Sequence, residues 1–157
     1  MLVFIESVKR ELLVIFFSML PISELRGAIP LGISLGLSPL HSTIISICGN
    51  ILIVPILLKI LHPIIIFLED TFIFKYTLGV VKSKAIKKAD AIKTYSSIGL
   101  FLFVAIPLPT TGAWTASVIA SILKLDNKKA FIAIAMGIIV AGLIVLGVSI
   151  GAIKVFD

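Results

Sequence analysis

Pro21-Ile-Ser-Glu-Leu-Arg-Gly-Ala-Ile-Pro-Leu-Gly32 places one acid, one base, two prolines and two glycines inside a region that is otherwise apolar. A helical arm of about ten residues is roughly 15 Å long, about half of the ~30 Å hydrocarbon core of a bilayer. The apolar runs on either side of this stretch are short enough that each arm reaches only the middle of the membrane. We therefore predict a re-entrant hairpin over residues 12–37, with the helix broken by Pro21, Gly27 and Pro30.

Glu24 and Arg26 are ionisable groups at the bottom of this hairpin, and such groups inside a membrane mark a functional site by default. Their spacing does not bring them together on a regular helix, although an unwound turn allows them to pair. Two interpretations stay open. In the first, the pair only fixes the turn. In the second, the Glu24 carboxylate exchanges protons and the planar Arg26 guanidinium binds a phosphate or carboxylate.

The composition is that of an integral membrane protein rather than a soluble domain. Of the 157 residues, 59% are hydrophobic and 14% are charged, and the mean hydropathy is +1.23. We expect a single membrane domain over residues 1–157. The net charge of +6 follows from lysines that cluster as the positive-inside rule requires, so we expect no nucleic-acid partner. Cys48 is the single cysteine, and we expect no disulfide, metal, cofactor or cleavable signal peptide.

Two segments are long enough to cross a bilayer completely, which takes about 20 residues. The first, residues 41–61, contains the amide of Asn50, which either bonds to a neighbouring helix or lines a cavity facing the first hairpin. We expect His62-Pro63 to end this span. The second span, residues 130–155, is rich in glycine and alanine and is a candidate seam for a homodimer.

Further segments are predicted at the membrane surface. Residues 1–11 are typical of an amphipathic entry helix, and residues 63–74 of a second interfacial segment. From Lys75 to Lys93, apolar residues recur at helical spacing with lysines opposite, which predicts a helix on the cytoplasmic leaflet. This helix either sets the topology or forms a polybasic regulatory site. The polar turn Asp126-Asn-Lys-Lys129 is predicted to supply an N-cap for the last helix.

The stretch Pro107-Leu-Pro-Thr-Thr-Gly-Ala-Trp114 divides a second pair of short apolar arms over residues 96–125. The same length argument predicts a second re-entrant hairpin. The residues expected to break its helix are Pro107, Pro109 and Gly112.

This second break carries no charge. Thr110 and Thr111 offer hydroxyl groups, and Trp114 is either a core or interfacial anchor or a wall on which a substrate stacks. The predicted substrate or ion site therefore draws on both breaks and on the first span, and consists of Glu24, Arg26, Asn50, Thr110, Thr111 and Trp114.

The two halves of the chain follow the same order of elements. Each half, residues 1–61 and residues 62–157, is predicted to hold an interfacial helix, a re-entrant helical hairpin and one transmembrane span, and Gly49 aligns with Gly137. One span per half makes the repeats inverted, an arrangement typical of transporters with a site near the midplane. The predicted fold class is therefore an all-α integral membrane protein with an inverted repeat.

The lysines discriminate between hairpins and single crossings. Hairpins put the lysines from Lys75 to Lys93 and from Lys124 to Lys129 on one side of the membrane, whereas single crossings put them on opposite sides. The positive-inside rule favours hairpins and assigns both clusters to the cytoplasm.

At these residues the chain resembles the small multidrug export family, a prokaryotic group related to the DedA/VTT membrane proteins. The resemblance rests on residues 21–32, on Gly49-Asn50 with Pro55, and on residues 107–114. It implies two re-entrant hairpins that meet in the middle of a prokaryotic cell membrane.

The wider superfamily includes lipid-carrier flippases and lipid scramblases, in which a hairpin acid and arginines matter. Glu24 matches the acid. Thr110 and Thr111 stand where DedA proteins carry arginines in the second hairpin, a departure that bears on phosphate-lipid transport.

These features predict a small transporter that exports an amphiphilic substrate through a cavity between the hairpins, with Glu24 as a proton-coupling group. One alternative is a DedA-like lipid or lipid-carrier flippase or scramblase, with Arg26 on the headgroup phosphate. Another is a membrane assembly protein that transports nothing. An enzyme is not expected, because His41 and His62 lie near the span ends, away from both breaks.

Overall fold

The described part of the chain is entirely helical. The computed structural model describes residues 2–69, 89–108 and 111–156. Most of the predicted helix from Lys75 to Lys93 lies outside these residues, as do Pro109 and Thr110. Six helices run through the described part in chain order: α1 Leu2–Met19, α2 Glu24–Ser34, α3 Pro39–Glu69, α4 Ala89–Ala105, α5 Ala113–Ile122 and α6 Asn127–Phe156.

Helix α1 joins two segments that we predicted to be separate. The entry helix of residues 1–11 and the first arm from residue 12 form one continuous helix over Leu2–Met19. No glycine or proline interrupts this sequence, so nothing breaks the helix where the charged residues give way to apolar ones. The helix ends at Met19, and Pro21 lies in the following turn, as predicted.

Two of the predicted helix breakers lie inside a helix instead. Gly27 and Pro30 are both within α2, so the break is confined to residues 20–23. Pro30 removes only one backbone donor and lies on the exposed side of α2, while Ala28 and Ile29 beside it are fully buried. Packing on that buried face stabilises the helix against the loss of one hydrogen bond.

Helix α3 also runs past its predicted end. It covers Pro39–Glu69 and contains both Pro55 and Pro63, so His62-Pro63 does not end the span and the predicted boundary between the halves lies inside this helix. The apolar span within it is Pro39–Ile65, with mean hydropathy 2.4. Each proline costs one hydrogen bond, which a long helix tolerates with a local adjustment.

The second half repeats the pattern of two shorter helices before a long one. Helices α4 and α5 are separated by residues 106–112, and α6 begins at Asn127, three residues before the predicted start. The predicted N-cap is confirmed, because the Asp126 carboxylate accepts hydrogen bonds from the backbone N–H groups of Lys128 at 2.8 Å and Lys129 at 3.2 Å.

Two groups of contacts define the two ends of the bundle. At one end the Arg10 guanidinium donates to the Leu35 carbonyl at 3.1 Å, and the His41 ring lies 3.2 Å from the Glu11 carboxylate. At the other end, His62 near the end of α3 lines a surface cleft with residues 124–128, which cover the end of the α5–α6 turn and the start of α6. The start of α3 therefore lies with α1, and its end lies with the start of α6.

A close contact at Gly49 shows how far α1 extends beside α3. Gly49 lies against Ile15 and Ser18, next to the end of α1. Gly49 is near the middle of the apolar span of α3, so the break at residues 20–23 is level with the middle of that span.

The outer surface of the bundle is apolar. The core is formed by small and branched residues of all the helices from α2 to α6, among them Leu25, Ile29, Val54, Val104 and Ile134. Large apolar side chains are exposed along both long helices, including Leu52, Ile56, Ile132, Leu143 and Val148. Apolar surface of this extent is expected to face lipid rather than water.

The Asp126 cap gives a pH-dependent contribution to stability. The two backbone N–H donors hold the pKa of Asp126 below its ordinary value. Its stabilising effect is therefore complete above the unfolded pKa of about 3.9 and is lost as the pH falls through the lower folded pKa. We expect Asp126→Ala to lower the Tm at pH 7 and to remove this part of the acid sensitivity.

Asp126→Asn is the matched control, because an asparagine side chain caps helices as well as aspartate does but does not titrate. It should keep the Tm at pH 7 and reduce the loss of Tm on acidification. Thermal unfolding in detergent at pH 7 and pH 3.5 measures both effects. An Asp126→Ala protein as stable as the natural one at pH 7 would contradict the capping role.

Candidate functional site

The two helix breaks, which are distant in sequence, lie against each other. The Arg26 guanidinium donates a hydrogen bond to the Thr111 hydroxyl at 3.1 Å. The backbone N–H of Trp114 donates to the Glu24 carboxylate at 3.3 Å, and the Trp114 indole N–H donates to the Met19 carbonyl at 2.9 Å. Four of the six predicted site residues therefore meet at one contact between the first and second halves of the chain. We call these four residues, Glu24, Arg26, Thr111 and Trp114, the break contact.

Glu24 is positioned by an unusual backbone conformation. It is the first residue of α2 and has φ +43, in the left-handed region that non-glycine residues rarely adopt. The side chain is buried, with 8% exposed, and its carboxylate lies over the N-terminus of α5. Helix N-termini carry unpaired N–H groups and a partial positive charge, so a carboxylate is electrostatically favourable there.

Gly112 makes this approach possible. It precedes α5 with an extended backbone, φ −161 and ψ −173, which any residue adopts. A β-carbon at Gly112 would overlap the Glu24 carboxylate group. The glycine is therefore required by the close approach of the carboxylate and not by its own backbone conformation.

Glu24 and Arg26 do not form the direct ion pair of our first interpretation. Ion pairs within 4.0 Å join Arg10 to Glu6 and Glu11 to His41 at one end of the bundle, but none joins Glu24 to Arg26. Each of the two site groups instead bonds to the second half, because a spacing of two residues on α2 directs them to different neighbours.

Thr111 organises the second break. Its buried hydroxyl lies 2.6 Å from the Ile106 carbonyl and 3.1 Å from that of Leu108, and it also accepts the Leu108 N–H at 3.1 Å. A hydroxyl has one proton to donate and two lone pairs, so Arg26 takes the remaining acceptor position. Thr111 thereby holds the loop and the guanidinium together.

Trp114 links the start of α5 to the end of α1. Its indole N–H satisfies the Met19 carbonyl, one of the groups that a helix C-terminus leaves unpaired. The bond is compatible with the predicted core or interfacial anchor, which stays a prediction. The alternative role, as a wall for a stacked substrate, stays a prediction.

The remaining predicted site residues do not join the contact. Asn50 is buried on α3, with 1% exposed, and its side-chain oxygen has no hydrogen-bond partner among the residues that the structure describes. The side-chain oxygen of Asn50 therefore does not form the predicted hydrogen bond to a neighbouring helix. Thr110, like the predicted breaker Pro109, lies outside the described residues.

A small polar cavity of about 40 Å³ adjoins the break contact. At roughly 10–15 Å³ for each water position, it has room for a few water molecules. A cavity for a drug-sized ligand is about 300 Å³ or more, so the contact is closed to such a ligand in this conformation. Ser23 and Thr115 line it without any sequence motif that would have selected them; the full lining is Pro21, Ile22, Ser23, Glu24, Arg26, Gly112 and Thr115.

Two long apolar helices, an apolar outer surface and a buried polar contact between the halves define an all-helical membrane protein. Residues 24–144 match the family model described as "Putative small multi-drug export protein". This range covers well over half of the chain, and the protein belongs to that family. No match was found among curated proteins or among solved structures.

The break contact predicts a specific sensitivity at Gly112. Gly112→Ala should displace the Glu24 carboxylate and break its bond to the Trp114 N–H. A hydrogen bond to a charged group is worth about 2 kcal/mol, so we expect the Tm in detergent to fall by roughly 4–8 °C.

Gly147→Ala is the control, because a β-carbon at Gly147 meets no heavy atom within 4 Å and the residue lies inside α6. Alanine is favoured over glycine in a helix, so this variant should be as stable as the natural protein or slightly more stable. Equal Tm values for the two variants would contradict the steric role of Gly112.

Proposed function

We propose that the protein exports an amphiphilic substrate across the membrane and couples this export to protons through Glu24. The family description supports export. The observation that carries the coupling role is a buried carboxylate at the junction of the two halves, next to a polar cavity. Intramembrane ionisable groups in such positions serve proton relays in pumps and transporters.

We also propose that each half contains a re-entrant hairpin, α1–α2 in the first and α4–α5 in the second. The support is that each descending helix stops beside the middle of the neighbouring apolar span. Gly49 of α3 lies against Ser18, and Gly137 of α6 lies against Val104, in each case just before the end of the short helix.

The same two glycines support an inverted repeat. A β-carbon at Gly49 would meet the Ile15 carbonyl oxygen and the side chain three residues later, Ser18. A β-carbon at Gly137 would meet the Phe101 carbonyl oxygen and, again three residues later, Val104. These glycines are the pair that the sequence aligns, and they make the same helix-to-helix contact in the two halves.

The proposed topology puts both lysine clusters in the cytoplasm of a prokaryotic cell. Its support is that His62, near the end of α3, lies with residues 124–128 at one end of the bundle, while His41 lies with Glu11 at the other. The lysines from Lys75 to Lys93 follow α3, and the positive-inside rule then assigns that end to the cytoplasm.

In the proposed mechanism, protonation of Glu24 loosens the contact between the halves. A neutral carboxyl group is attracted less strongly to the N-terminus of α5 than a carboxylate. Separation of the two breaks would widen the small cavity, and Arg26, Thr111, Trp114 and the predicted residues Asn50 and Thr110 would meet the substrate. The lipid-facing surface of α6 stays a candidate for a homodimer.

Glu24→Gln tests the coupling role. Glutamine keeps the shape of the side chain but cannot take up a proton and has no charge to place on α5. In vesicles with an imposed pH gradient, we expect efflux of the cationic amphiphiles ethidium and dodecylamine to fall to the level of protein-free vesicles.

Glu11→Gln is the matched control, because it removes a carboxylate that is paired with His41 at the end of the bundle. This variant should export at the natural rate. Natural export by the Glu24→Gln protein would remove the coupling role. If the natural protein moves labelled phospholipid and neither amphiphile, it is a lipid flippase or scramblase; if it moves none of the three, the assembly role replaces transport.

Trp114 is the only tryptophan, and it provides a native probe of depth. If the two breaks lie at the midplane, about 15 Å from either edge of the hydrocarbon core, lipids brominated near the end of the acyl chain should quench its fluorescence most. Lipids brominated near the headgroup should quench it least. The reverse order would place the breaks at the membrane surface and contradict the hairpins.

Sidedness distinguishes hairpins from single crossings. In a Cys48→Ser background, cysteines replacing His62 and Lys128 should react with an impermeant reagent from one side of the membrane, and a cysteine replacing Ser38 from the other. Labelling of the first two positions from opposite sides would contradict the proposed topology.

A further inference from the structure

A stripe of buried polar side chains runs along the inner side of α3. Ser42, Ser46 and Asn50 follow each other at intervals of four residues, which puts them on one face of the helix. All three are buried, with at most 1% exposed. Ser42 donates its hydroxyl proton to the Ile29 carbonyl of α2 at 2.9 Å, so this face is directed into the bundle.

Ser46 and Asn50 differ from the other buried polar residues. The Ser46 hydroxyl oxygen and the Asn50 side-chain oxygen have no hydrogen-bond partner within the described ranges. Every other buried serine or threonine hydroxyl in those ranges is bonded to a backbone carbonyl, namely Ser18, Ser42, Thr43, Thr111, Ser117 and Ser121. Buried polar atoms without a partner are rare in native proteins, and each one requires an explanation.

The two oxygens are level with the break contact. Gly49, between them on α3, packs against Ile15 and Ser18 of α1. The next residue of α1, Met19, accepts the Trp114 indole hydrogen bond. Ser46 and Asn50 therefore lie at the depth where the two halves meet.

We propose that Ser46 and Asn50 form a binding point for a group that donates hydrogen bonds, either water or the protonated amine of a cationic substrate. This proposal rests on the proposed transport function and names the class of substrate. The Asn50 oxygen only accepts hydrogen bonds, and the Ser46 oxygen has lone pairs to accept them. The Glu24 carboxylate of the break contact accepts the Trp114 N–H and has further lone pairs to accept hydrogen bonds, whereas the cationic Arg26 is bonded to Thr111. These acceptors favour ligands that donate hydrogen bonds, and the carboxylate favours positive charge.

This binding point explains why the two oxygens lack partners here. Each is buried when the halves are in contact, and each gains a donor when the halves separate. A polar group that is unsatisfied in one state and satisfied in the other shifts the equilibrium towards the second, so the ligand promotes the separation that admits it.

Cysteine accessibility tests the proposal, and the chain supplies its own control. Cys48 is on the same helix between Ser46 and Asn50, but it is exposed on the outer surface, where lipid excludes water. In a Cys48→Ser background, Ser46→Cys and Asn50→Cys thiols should react with the hydrophilic reagent sulfonatoethyl methanethiosulfonate. We expect reaction about tenfold or more faster than at Cys48 in the natural protein, because thiolates form where water reaches.

Two detergent-like cations test whether the hydrogen-bond donor at Ser46 and Asn50 is water alone or a substrate amine. Dodecylamine, which carries N–H donors when protonated, should slow the modification of both thiols. Dodecyltrimethylammonium has the same chain and charge but no N–H group, and should leave the rate unchanged. Slowing by neither cation assigns the site to water alone, and equal slowing by both overturns the requirement for a donor. Thiols as unreactive as Cys48 overturn the binding point altogether.

A stability comparison covers the case in which a cysteine variant does not fold. Ser46→Ala removes a hydroxyl without a partner and should leave the Tm unchanged or raise it, while Ser42→Ala removes a bonded hydroxyl and should lower the Tm by about 2–4 °C. Equal losses would overturn the proposal. None of these measurements uses export, so they can fail while Glu24→Gln still abolishes export, and the reverse outcome is equally distinguishable.

Discussion

The Glu24 carboxylate lies on the N-terminus of α5, a helix that begins almost ninety residues further along the chain, and this contact constrains both halves of the molecule. Its geometry has three requirements. The turn before α2 must direct Glu24 inwards, which it does through a left-handed backbone conformation. The residue before α5 must have no side chain, and it is Gly112. The two breaks must lie at one level, which the lengths of the short helices ensure.

In a membrane, broken helices leave unpaired backbone groups that lipid cannot satisfy. The break contact supplies partners from the opposite half. Glu24 accepts a free N–H of α5, and Trp114 donates to the free carbonyl at the end of α1. Arg26 takes the last acceptor position of Thr111, whose hydroxyl also holds the loop. The polar groups at each break are therefore hydrogen-bonded only while the two breaks are in contact. If the halves separate, these groups require water or a ligand as new partners.

The sequence was most informative where a residue type has one physical consequence, and least where packing decides. Helix lengths and turn residues predicted the two long spans, the breaks near Pro21 and Pro107, and the Asp126 cap. Pro30 and Pro63 were predicted to end helices and do not, because each lies on an exposed side of its helix and removes only one backbone donor, and Pro30 is beside the buried Ala28 and Ile29. Glu24 and Arg26 also do not form an ion pair. The two-residue spacing between them does not show which groups of the second half they bond to. Ser46 has no distinguishing signal in the sequence, because a buried serine normally bonds to its own helix.

Groups in the interior make opposing contributions to the free energy of the contact between the two halves. Apolar packing between α2, α3, α5 and α6 favours the closed arrangement, and lipid offers these surfaces no better environment than the core does. The hydrogen bonds of Glu24 and Arg26 across the halves favour it as well, whereas the unpartnered oxygens of Ser46 and Asn50 oppose it, because a buried polar atom without a partner costs free energy. In the mechanism that we propose, a proton on Glu24 would weaken the attraction of this carboxylate to α5, and a ligand on Ser46 and Asn50 would stabilise the separated halves. The alternating access that we propose needs two states of similar free energy, and opposing contributions from polar and apolar groups would favour such a balance.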